Sequence, residues 1–262
     1  MSQFNPLHLV YRLYARRLLR EIQSHPTPRH IGLILDGNRR YAQELRLHDP
    51  LAGHRMGAEK LEAVLEWLAE LKIPITTLFA LSTENLSRPS DELDGLLVLI
   101  ETKIRSMATD PRVHQRGVRF QAVGRTNLLP KSLQQAISLT EEATRLHHNF
   151  FLNVAVGYGG RQEITDAVRL LLLERAKSNE SPAQIAEGLT PEAIEKYLYT
   201  YELPDPDLII RTSGELRLSG FLLWQSAYSE LYFCDAYWPA FRKIDLLRAI
   251  RSYQQRSRRF GK

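Results

Sequence analysis

The residues best suited to chemistry stand at the end of a short apolar run, in the stretch HIGLILDGNRRY. The run closes on an acid, a glycine, an asparagine and two arginines, which are Asp36, Gly37, Asn38, Arg39 and Arg40. Asp-Gly-Asn after a strand is also a common turn and helix N-cap that needs no function. Helix N-terminal amides and guanidinium groups, however, bind anions well. Taken alone, the stretch leaves the turn and the anion site equally open.

A second basic cluster, RTSGELRLS, begins at Arg211. It combines Arg211, Arg217 and Ser219 with further hydroxyls and a glycine, although Arg211 alone could simply leave the sheet for solvent. Arginine presents forked donors to phosphate, and hydroxyls and glycine amides reach the remaining oxygens. Two such clusters indicate two phosphate groups or two phosphorylated ligands. Asp36, with Glu230 as a second carboxylate, suits Mg²⁺, which takes few protein carboxylates and completes its shell with phosphate and water.

The remaining pattern predicts the elements that would bring these residues together. Six short apolar runs, nearly continuous as in strands buried on both faces, occupy residues 31–35, 75–81, 118–123, 151–156, 208–211 and 231–234. Helical patterns lie between them, clearest at residues 55–71, 91–107, 131–146 and 161–177. This alternation predicts an α/β fold with a six-stranded, mostly parallel sheet flanked by helices. Ligands of such sheets bind beyond the carboxyl ends of the strands, where both basic clusters would lie.

Composition narrows the classes of function. The 262 residues, 44% of them hydrophobic, carry a net charge of +5, which fits a globular protein with acidic ligands. Cys234 is the single cysteine, which excludes an internal disulfide or a cysteine-based zinc site and fits a cytoplasmic protein. P-loop, dinucleotide-binding, zinc-protease and nucleophile-elbow motifs are absent. The basic residues do not alternate with exposed aromatics, so no nucleic-acid partner is predicted.

Residues 1–25 are predicted to form an appended basic amphipathic helix. One face carries Leu7, Val10, Leu13, Tyr14 and Leu18, and the other carries arginines. The segment has no cleavage site and no run of about 18 apolar residues, so neither a signal peptide nor a membrane span is predicted. The helix either packs on its own domain or a partner subunit, which is the commoner arrangement, or touches an anionic membrane surface.

Five stretches carry a more specific signal when they are taken in order. They are HIGLILDGNRRYA, FALSTENLSRP, NVAVGYGGRQEI, DLIIRTSGELRLSGFLLWQSAYSELYF and the terminal RRFG. Together they resemble the signature regions of the cis-prenyltransferases, the undecaprenyl diphosphate synthase family. On this resemblance residues 26–262 form the catalytic domain and end in an Arg-x-Gly tail. The DDxxD motifs of the helical trans-prenyltransferases are absent.

The resemblance implies a Mg²⁺-dependent condensation of isopentenyl diphosphate with an allylic diphosphate, which forms a Z double bond. Asp36 would lie at the metal–diphosphate centre and assist departure of the allylic diphosphate, with Glu230 helping to hold the metal. Ser82 and Asn85 would lie near the reacting carbons. The first basic cluster would bind the allylic diphosphate and the second the isopentenyl diphosphate. The residues implied to contact substrate are Gly37, Asn38, Arg39, Arg40, Tyr41, His54, Ser82, Thr83, Glu84, Leu86, Arg88, Arg211, Arg217 and Ser219.

The chain departs from the family pattern at several positions. Arg39 and Tyr41 replace a glycine and a tryptophan, and Leu86 stands where many long-chain members have tryptophan. The stretch HDPLAGH lacks the arginine that usually precedes Gly-His. Either Arg46 supplies this allylic-phosphate contact, or a different allylic substrate is favoured.

Product length stays open on the sequence. In the family, the growing chain occupies a tunnel lined by the second strand and the following helix. Ala80 is small and would leave the tunnel open, whereas the general likeness to actinobacterial short-chain Z-farnesyl diphosphate synthases favours a short or medium product over a long-chain polyprenyl diphosphate. Helix 91–107 offers four residues, any one of which would form a floor of the tunnel, which are Leu93, Leu96, Leu97 and Ile100.

Two other functions fit parts of the pattern less well. A non-catalytic prenyltransferase subunit would usually lose the acid and arginines of the first cluster, which this chain keeps. A general phosphate-binding protein would not need Ser82, Asn85 and the terminal Arg-x-Gly together. The resemblance further implies a homodimer in which Arg259 and Gly261 reach a diphosphate of the partner's site.

Overall fold

The computed structural model describes residues 6–87 and 90–257. Within these residues, the helices are α1 (Pro6–Gln23), α2 (Asn38–Glu44), α3 (Ala52–Glu70), α4 (Ser90–Met107), α5 (Pro111–Arg116), α6 (Lys131–Thr144), α7 (Gly160–Lys177), α8 (Pro182–Glu187), α9 (Pro191–Glu195) and α10 (Lys243–Ser257). The strands are β1 (His30–Ile34), β2 (Ile75–Ser82), β3 (Val118–Val123), β4 (Phe150–Tyr158), β5 (Leu208–Arg211) and β6 (Glu230–Phe233).

The six strands form one sheet in the order β3-β4-β2-β1-β5-β6, and every neighbouring pair is parallel. The predicted six-stranded α/β fold is therefore confirmed, and the sheet is wholly rather than mostly parallel. Side chains of β1 alternate between two apolar layers, with Ile31 and Leu33 on one face and Ile34 on the other. This two-sided burial explains why the strands read as continuous apolar runs.

A chain of buried polar groups crosses the middle of the sheet. Asn153 Nδ2 donates to Thr77 Oγ1 at 3.2 Å, and Thr77 Oγ1 lies 2.8 Å from His30 Nε2. His30 Nδ1 lies 2.7 Å from the Pro204 carbonyl, which makes Nδ1 the protonated nitrogen and Nε2 the acceptor. The hydrogen bonds thus satisfy three polar side chains that have almost no exposed surface.

Helix α1 packs against α10. Leu18 and Ile22 are fully buried in the main apolar cluster, as are Leu246 and Ile250 of α10. Gln254 Nε2 donates to the carbonyls of Ile22, His25 and Pro26, where α1 leads into β1. None of the helices in the described part of the chain is both long enough and apolar enough to cross a bilayer.

Candidate active site

A cavity of about 920 Å³ runs between the sheet and helices α3 and α4. Its mouth lies at the carboxyl edge of the strands, where both basic clusters meet. Deeper in, the wall is mainly apolar and includes Leu61, Leu65, Leu78, Ala80, Leu96, Ile100, Ile104 and Met107, while charged residues line its far end, among them Glu62, Lys103, Asp110, Arg112 and Arg116. The cavity thus joins a charged mouth to a long apolar interior, a shape that suits a ligand with an anionic head and a hydrocarbon tail.

Asp36 and Arg211 form an ion pair at the centre of the mouth. The Arg211 guanidinium, only 4% exposed, donates to Asp36 Oδ2 at 2.7 Å. The Gly37 amide donates to Oδ1, and Arg40 approaches the same oxygen at 3.4 Å. Partial burial would raise the pKa of Asp36, but the hydrogen bonds from Arg211 and Ser213 and the Arg211 charge outweigh it and lower the pKa. Asp36 is therefore ionised across the neutral range.

Later residues of the second basic cluster accept hydrogen bonds from Arg211, its first residue. Arg211 also donates to Ser219 Oγ at 2.7 Å and to the Arg217 carbonyl, while its Nε is buried without a hydrogen-bond partner. Arg217 pairs with Glu215, and Glu215 also accepts from Arg40 at 3.2 Å. Arg40 thus connects the two basic clusters, so one mouth contains cations from both.

The turn after β1 depends on glycines. Gly37 has φ 100°, a left-handed conformation that favours glycine, and a Cβ there would lie 2.6 Å from the Tyr237 ring. A Cβ at Gly53 of α3 would lie 2.0 Å from the Asn38 carbonyl, and one at Gly57 would lie 2.2 Å from Asn38 Oδ1. The sequence therefore lets α3 approach the start of α2 closely and fixes the orientation of the residues that follow Asp36.

Glu92 of α4 lies between two predicted contacts of the allylic diphosphate. Arg39 Nε approaches Glu92 Oε1 at 3.4 Å, and His54 Nε2 lies 4.0 Å from the same oxygen. This acid joins α2, α3 and α4 beside the mouth, and no pattern in the sequence predicted it.

The end of β2 presents Ser82 and Asn85 to the cavity. Ser82 Oγ accepts the Asn85 backbone N–H at 3.2 Å, which begins a short 3₁₀ helix from Glu84 to Ser87. Thr83 does not line the cavity: its amide donates to the Tyr158 carbonyl at 2.9 Å, and its hydroxyl lies beside Gly159. Leu86 packs against the main apolar cluster instead.

The structure brings most of the predicted site residues to one wall. Those that line the cavity are Asp36, Gly37, Asn38, Arg39, Arg40, His54, Ser82, Glu84, Asn85, Arg211, Arg217 and Ser219. Tyr41 lies behind them, edge-on to Tyr237. Arg46 is exposed and does not reach the cavity wall. Arg88, Arg259 and Gly261 lie outside the described residues.

Glu230 requires a correction. It begins β6 in register with Leu208 and Ile31, at the amino edge of the sheet, and there it pairs with Arg256 at 2.9 Å. Asp36 lies five residues further along β1, about 16 Å away in the strand direction. A residue that precedes a parallel strand emerges at the opposite edge from one that follows it, so Glu230 and Asp36 do not share a site within one chain.

Several residues of the mouth were given no individual role in the sequence analysis. Thr212 Oγ1 accepts the Asp36 amide at 3.0 Å and donates to the Asp36 carbonyl at 2.7 Å. Ser213 Oγ accepts from Arg40 at 2.7 Å, and Tyr237 lies under the Arg40 guanidinium. Thr212 and Ser213 stand within the RTSGELRLS stretch, so their position beside Arg211 was an available signal. Tyr237 follows the last strand and carried no such signal.

Comparisons with known proteins agree with the site. The family model described as putative undecaprenyl diphosphate synthase matches residues 34–261. An isoprenyl transferase from Thermus thermophilus is 54% identical over 253 residues, which cover 97% of this chain and 96% of the relative. A (2Z,6E)-farnesyl diphosphate synthase from Thermobifida fusca is 52% identical and covers 96% and 97% of the two chains.

A solved structure shares the fold. The crystal structure of lavandulyl diphosphate synthase from Lavandula x intermedia, in complex with dimethylallyl diphosphate, superposes with a TM-score of 0.79 at 32% identity. The match covers 87% of this chain and 95% of that chain. The resemblance read from the five sequence stretches is thereby confirmed, and the chain belongs to the undecaprenyl diphosphate synthase family of cis-prenyltransferases.

Proposed function

We propose that this enzyme condenses isopentenyl diphosphate with an allylic diphosphate to give a longer Z-prenyl diphosphate. The observation that carries the proposal is the cavity that joins a mouth of four arginines to a long apolar interior. Each substrate has a diphosphate head, and the allylic substrate has a hydrocarbon tail that the interior can take up. Binding both at one mouth holds their reacting carbons together and lowers the entropic part of the barrier.

The first basic cluster holds the allylic diphosphate in this proposal. Departure of that diphosphate builds negative charge on its oxygens, which Arg39 and Arg40 are placed to stabilise. Arg211, Arg217 and Ser219 hold the isopentenyl diphosphate. The double bond of the isopentenyl group then attacks the allylic carbon as the diphosphate leaves, and a proton is lost near Ser82 and Asn85.

Mg²⁺ fits the residues at the mouth. Asp36 is an ionised carboxylate at the cavity wall, and Mg²⁺ is commonly bound through one or two carboxylates plus substrate phosphates. No group of three or more His, Cys, Asp or Glu suited to a metal occurs in the described ranges, so a cage made only of protein ligands is not expected there. When bound, the ion neutralises charge on the leaving diphosphate. We assign Asp36 to it and leave Glu230 out.

We further propose a long-chain product, the alternative that the sequence favoured less. The cavity continues past Leu96 and Ile100 to Met107 and Phe150, at the far edge of the sheet, where charged residues join its apolar lining. The eight residues of β2 alone span about 26 Å. A farnesyl chain is roughly 14 Å long when extended, with bonds of about 1.5 Å, and would fill only part of this depth.

A homodimer completes the proposal. Leu216 and Tyr228, in the segment between β5 and β6, are 77% and 94% exposed. Large apolar side chains this exposed support a contact with another subunit. In that dimer Arg259 and Gly261 reach the partner's diphosphate site. Light scattering of the purified protein tests the assembly and should give twice the mass of the chain.

Replacing Asp36 by Ala tests the catalytic proposal. Condensation should be almost abolished while circular dichroism and thermal unfolding show a folded protein. Asp49→Ala, which removes an exposed acid paired with Arg55, is the matched control and should keep full activity. Full activity in the Asp36 variant would instead favour a site elsewhere.

A further inference from the structure

Tyr237 lies in the turn that follows β6 and has no role in the chemistry proposed above. Its ring lies under the Arg40 guanidinium, whose central carbon is 5.6 Å from the ring centroid. The Tyr41 ring meets it edge-on, with the two centroids 6.4 Å apart. The Tyr237 ring also packs on Gly37, since a Cβ there would lie 2.6 Å from Tyr237 Cδ1. One half-buried aromatic ring thus contacts three positions of the first basic segment.

The main chain on both sides of Tyr237 is anchored at the carboxyl edge of the sheet. Before it, the Ala236 carbonyl accepts the Ser213 amide at 2.8 Å. After it, the Trp238 amide donates to the Asp36 carbonyl at 3.0 Å. The turn therefore crosses the ends of β5 and β1, and hydrogen bonds to both basic segments fix the point from which the Tyr237 side chain starts.

Trp238 fixes the same turn to the apolar core. Its side chain is buried and stacks on Phe241 with the ring centroids 5.7 Å apart. The indole Nε1 donates to the Gly57 carbonyl of α3 at 2.8 Å. Burial of so large a side chain, with its polar atom satisfied, makes this a rigid anchor. Tyr237 is therefore held in place before any substrate binds.

Arg40 is the residue that gains from this support, because it joins the two basic clusters while its side chain is 41% exposed. Its Nη atoms donate to Ser213 Oγ at 2.7 Å and to Glu215 Oε1 at 3.2 Å. A planar guanidinium donates along its edges, so these two bonds leave its faces uncovered. The Tyr237 ring lies against one face, where the π electrons attract the cation. The ring thus restricts the orientation of a side chain that solvent would otherwise leave mobile.

We propose that Tyr237 is a positioning residue for the allylic diphosphate half of the site. It holds the Arg40 guanidinium in the orientation that meets the leaving diphosphate, and it acts on substrate through Arg40. The inference rests on the proposed function, in which Arg40 stabilises that diphosphate. The isopentenyl half depends on Arg211, which Asp36 and Ser219 orient instead. Loss of the Tyr237 ring therefore affects the two substrates differently.

Tyr237→Leu tests the proposal, because it removes the π face and keeps an apolar side chain in the turn. We expect the KM for the allylic diphosphate to rise roughly three- to tenfold, as loss of one cation–π contact implies. The KM for isopentenyl diphosphate and kcat should stay within about twofold of the wild type. Tyr201→Leu is the matched control, since Tyr201 is 52% exposed between α9 and β5, and it should change neither KM.

Two further variants separate stacking on Arg40 from a general effect on structure. Tyr237→Phe keeps the ring and should have an allylic KM within about twofold of the wild type. In an Arg40→Gln background no guanidinium is left to stack, so adding Tyr237→Leu should raise the allylic KM no further. A Tyr237→Phe variant as impaired as Tyr237→Leu, or a full additional rise in the Arg40→Gln background, would overturn the proposal.

Tyr237→Met provides a replacement in case Tyr237→Leu does not fold. Its unbranched side chain adapts to irregular space but has no π face, so the same rise in the allylic KM is expected. A folded variant in which both KM values change equally, or neither changes, would contradict the proposal. If the wild-type protein forms no prenyl product, the proposed function fails instead. Calorimetric binding of farnesyl diphosphate to the wild type and the variant then decides this inference, and equal affinities, or binding to neither, contradict it.

Discussion

Charge at the mouth is balanced residue by residue. Asp36 lies between Arg211 and Arg40, and Glu215 pairs with Arg40 and Arg217. These pairs hold the guanidinium groups in place before substrate arrives, so little reorganisation is needed when a diphosphate binds. Arg211 contributes most, because its single guanidinium contacts an acid, a hydroxyl and a carbonyl while almost wholly buried.

Arg211→Lys should therefore reduce condensation activity severely, although it preserves the charge. A lysine ammonium cannot reproduce the fork that contacts Asp36 and Ser219 together. We expect kcat/KM for condensation to fall roughly 100- to 1,000-fold, comparable to loss of one oriented donor at a developing charge. Arg161→Lys, which replaces an exposed arginine in the first turn of α7, should keep kcat/KM within about twofold of the wild type. Steady-state kinetics on the folded variants checks both, and a mild Arg211→Lys phenotype would argue against the bidentate role.

The sequence allowed Asp36 and Arg211 to be predicted because each ends a buried parallel strand, and such ends converge. Glu230 does not lie beside Asp36 within one chain, because it begins its strand and so emerges at the other edge. Glu92 was missed for another reason. It lies on α4, and only the packing of α4 against α2 and α3 brings it to the mouth.

The longer elements were predicted closely, except for the 15-residue helix α10, which was not predicted. All six strands lie within two residues of the predicted runs, because continuous apolar runs identify strands buried on both faces. No bounds were predicted for the short helices α2, α5, α8 and α9, since fewer than two turns leave too few positions for a helical period to be recognised. Among them, α2 carries the first basic cluster, so its orientation was available only from the structure.

His30, in β1, should make the free energy of unfolding depend on pH. Burial lowers the pKa of His30, although the Pro204 carbonyl and Asp207 oppose the shift. The unfolded chain therefore takes up a proton near pH 6.5 while the folded protein does not. The free energy of unfolding should be unaffected by His30 above pH 6.5 and should fall below it, by at most about 1.4 kcal/mol per pH unit.

Urea unfolding at several pH values between 7.5 and 5 measures this slope. His30→Gln should flatten the slope, whereas His148→Gln, which removes an exposed histidine, should leave it unchanged. Equal slopes for the wild type and His30→Gln would show that another group is responsible.

At the scale of the whole molecule, the shape of the tunnel depends on how the helices pack against the sheet. Leu96 and Ile100 line it as the sequence analysis expected, but Leu93 and Leu97 pack into the core beside it. Which residues of α4 face the tunnel depends on the rotation of the helix against β2, which periodicity alone does not determine. The depth of the tunnel could not be predicted from the sequence either, because its far wall is formed by α5, β3 and the start of β4.

Two variants that block the tunnel at different depths should make products of different lengths. Ala80→Leu narrows the half near the mouth and should give the shortest chains, while Met107→Trp at the far end should shorten them less. Both should keep the first condensation, because the mouth is unchanged. Val98→Trp on the exposed face of α4 is the control and should match the wild type. Chromatography of the dephosphorylated products checks the order, and identical lengths in all four proteins would place the growing chain elsewhere.

The most direct test of the account is condensation by the purified wild-type protein. Radiolabelled isopentenyl diphosphate is incubated with Mg²⁺ and allylic diphosphates of several lengths, and the products are sized and assigned as E or Z. The account predicts longer prenyl diphosphates with newly formed Z double bonds, and loss of all product when EDTA removes the metal. Absence of any longer product with every allylic diphosphate, or newly formed bonds that are E, would contradict it.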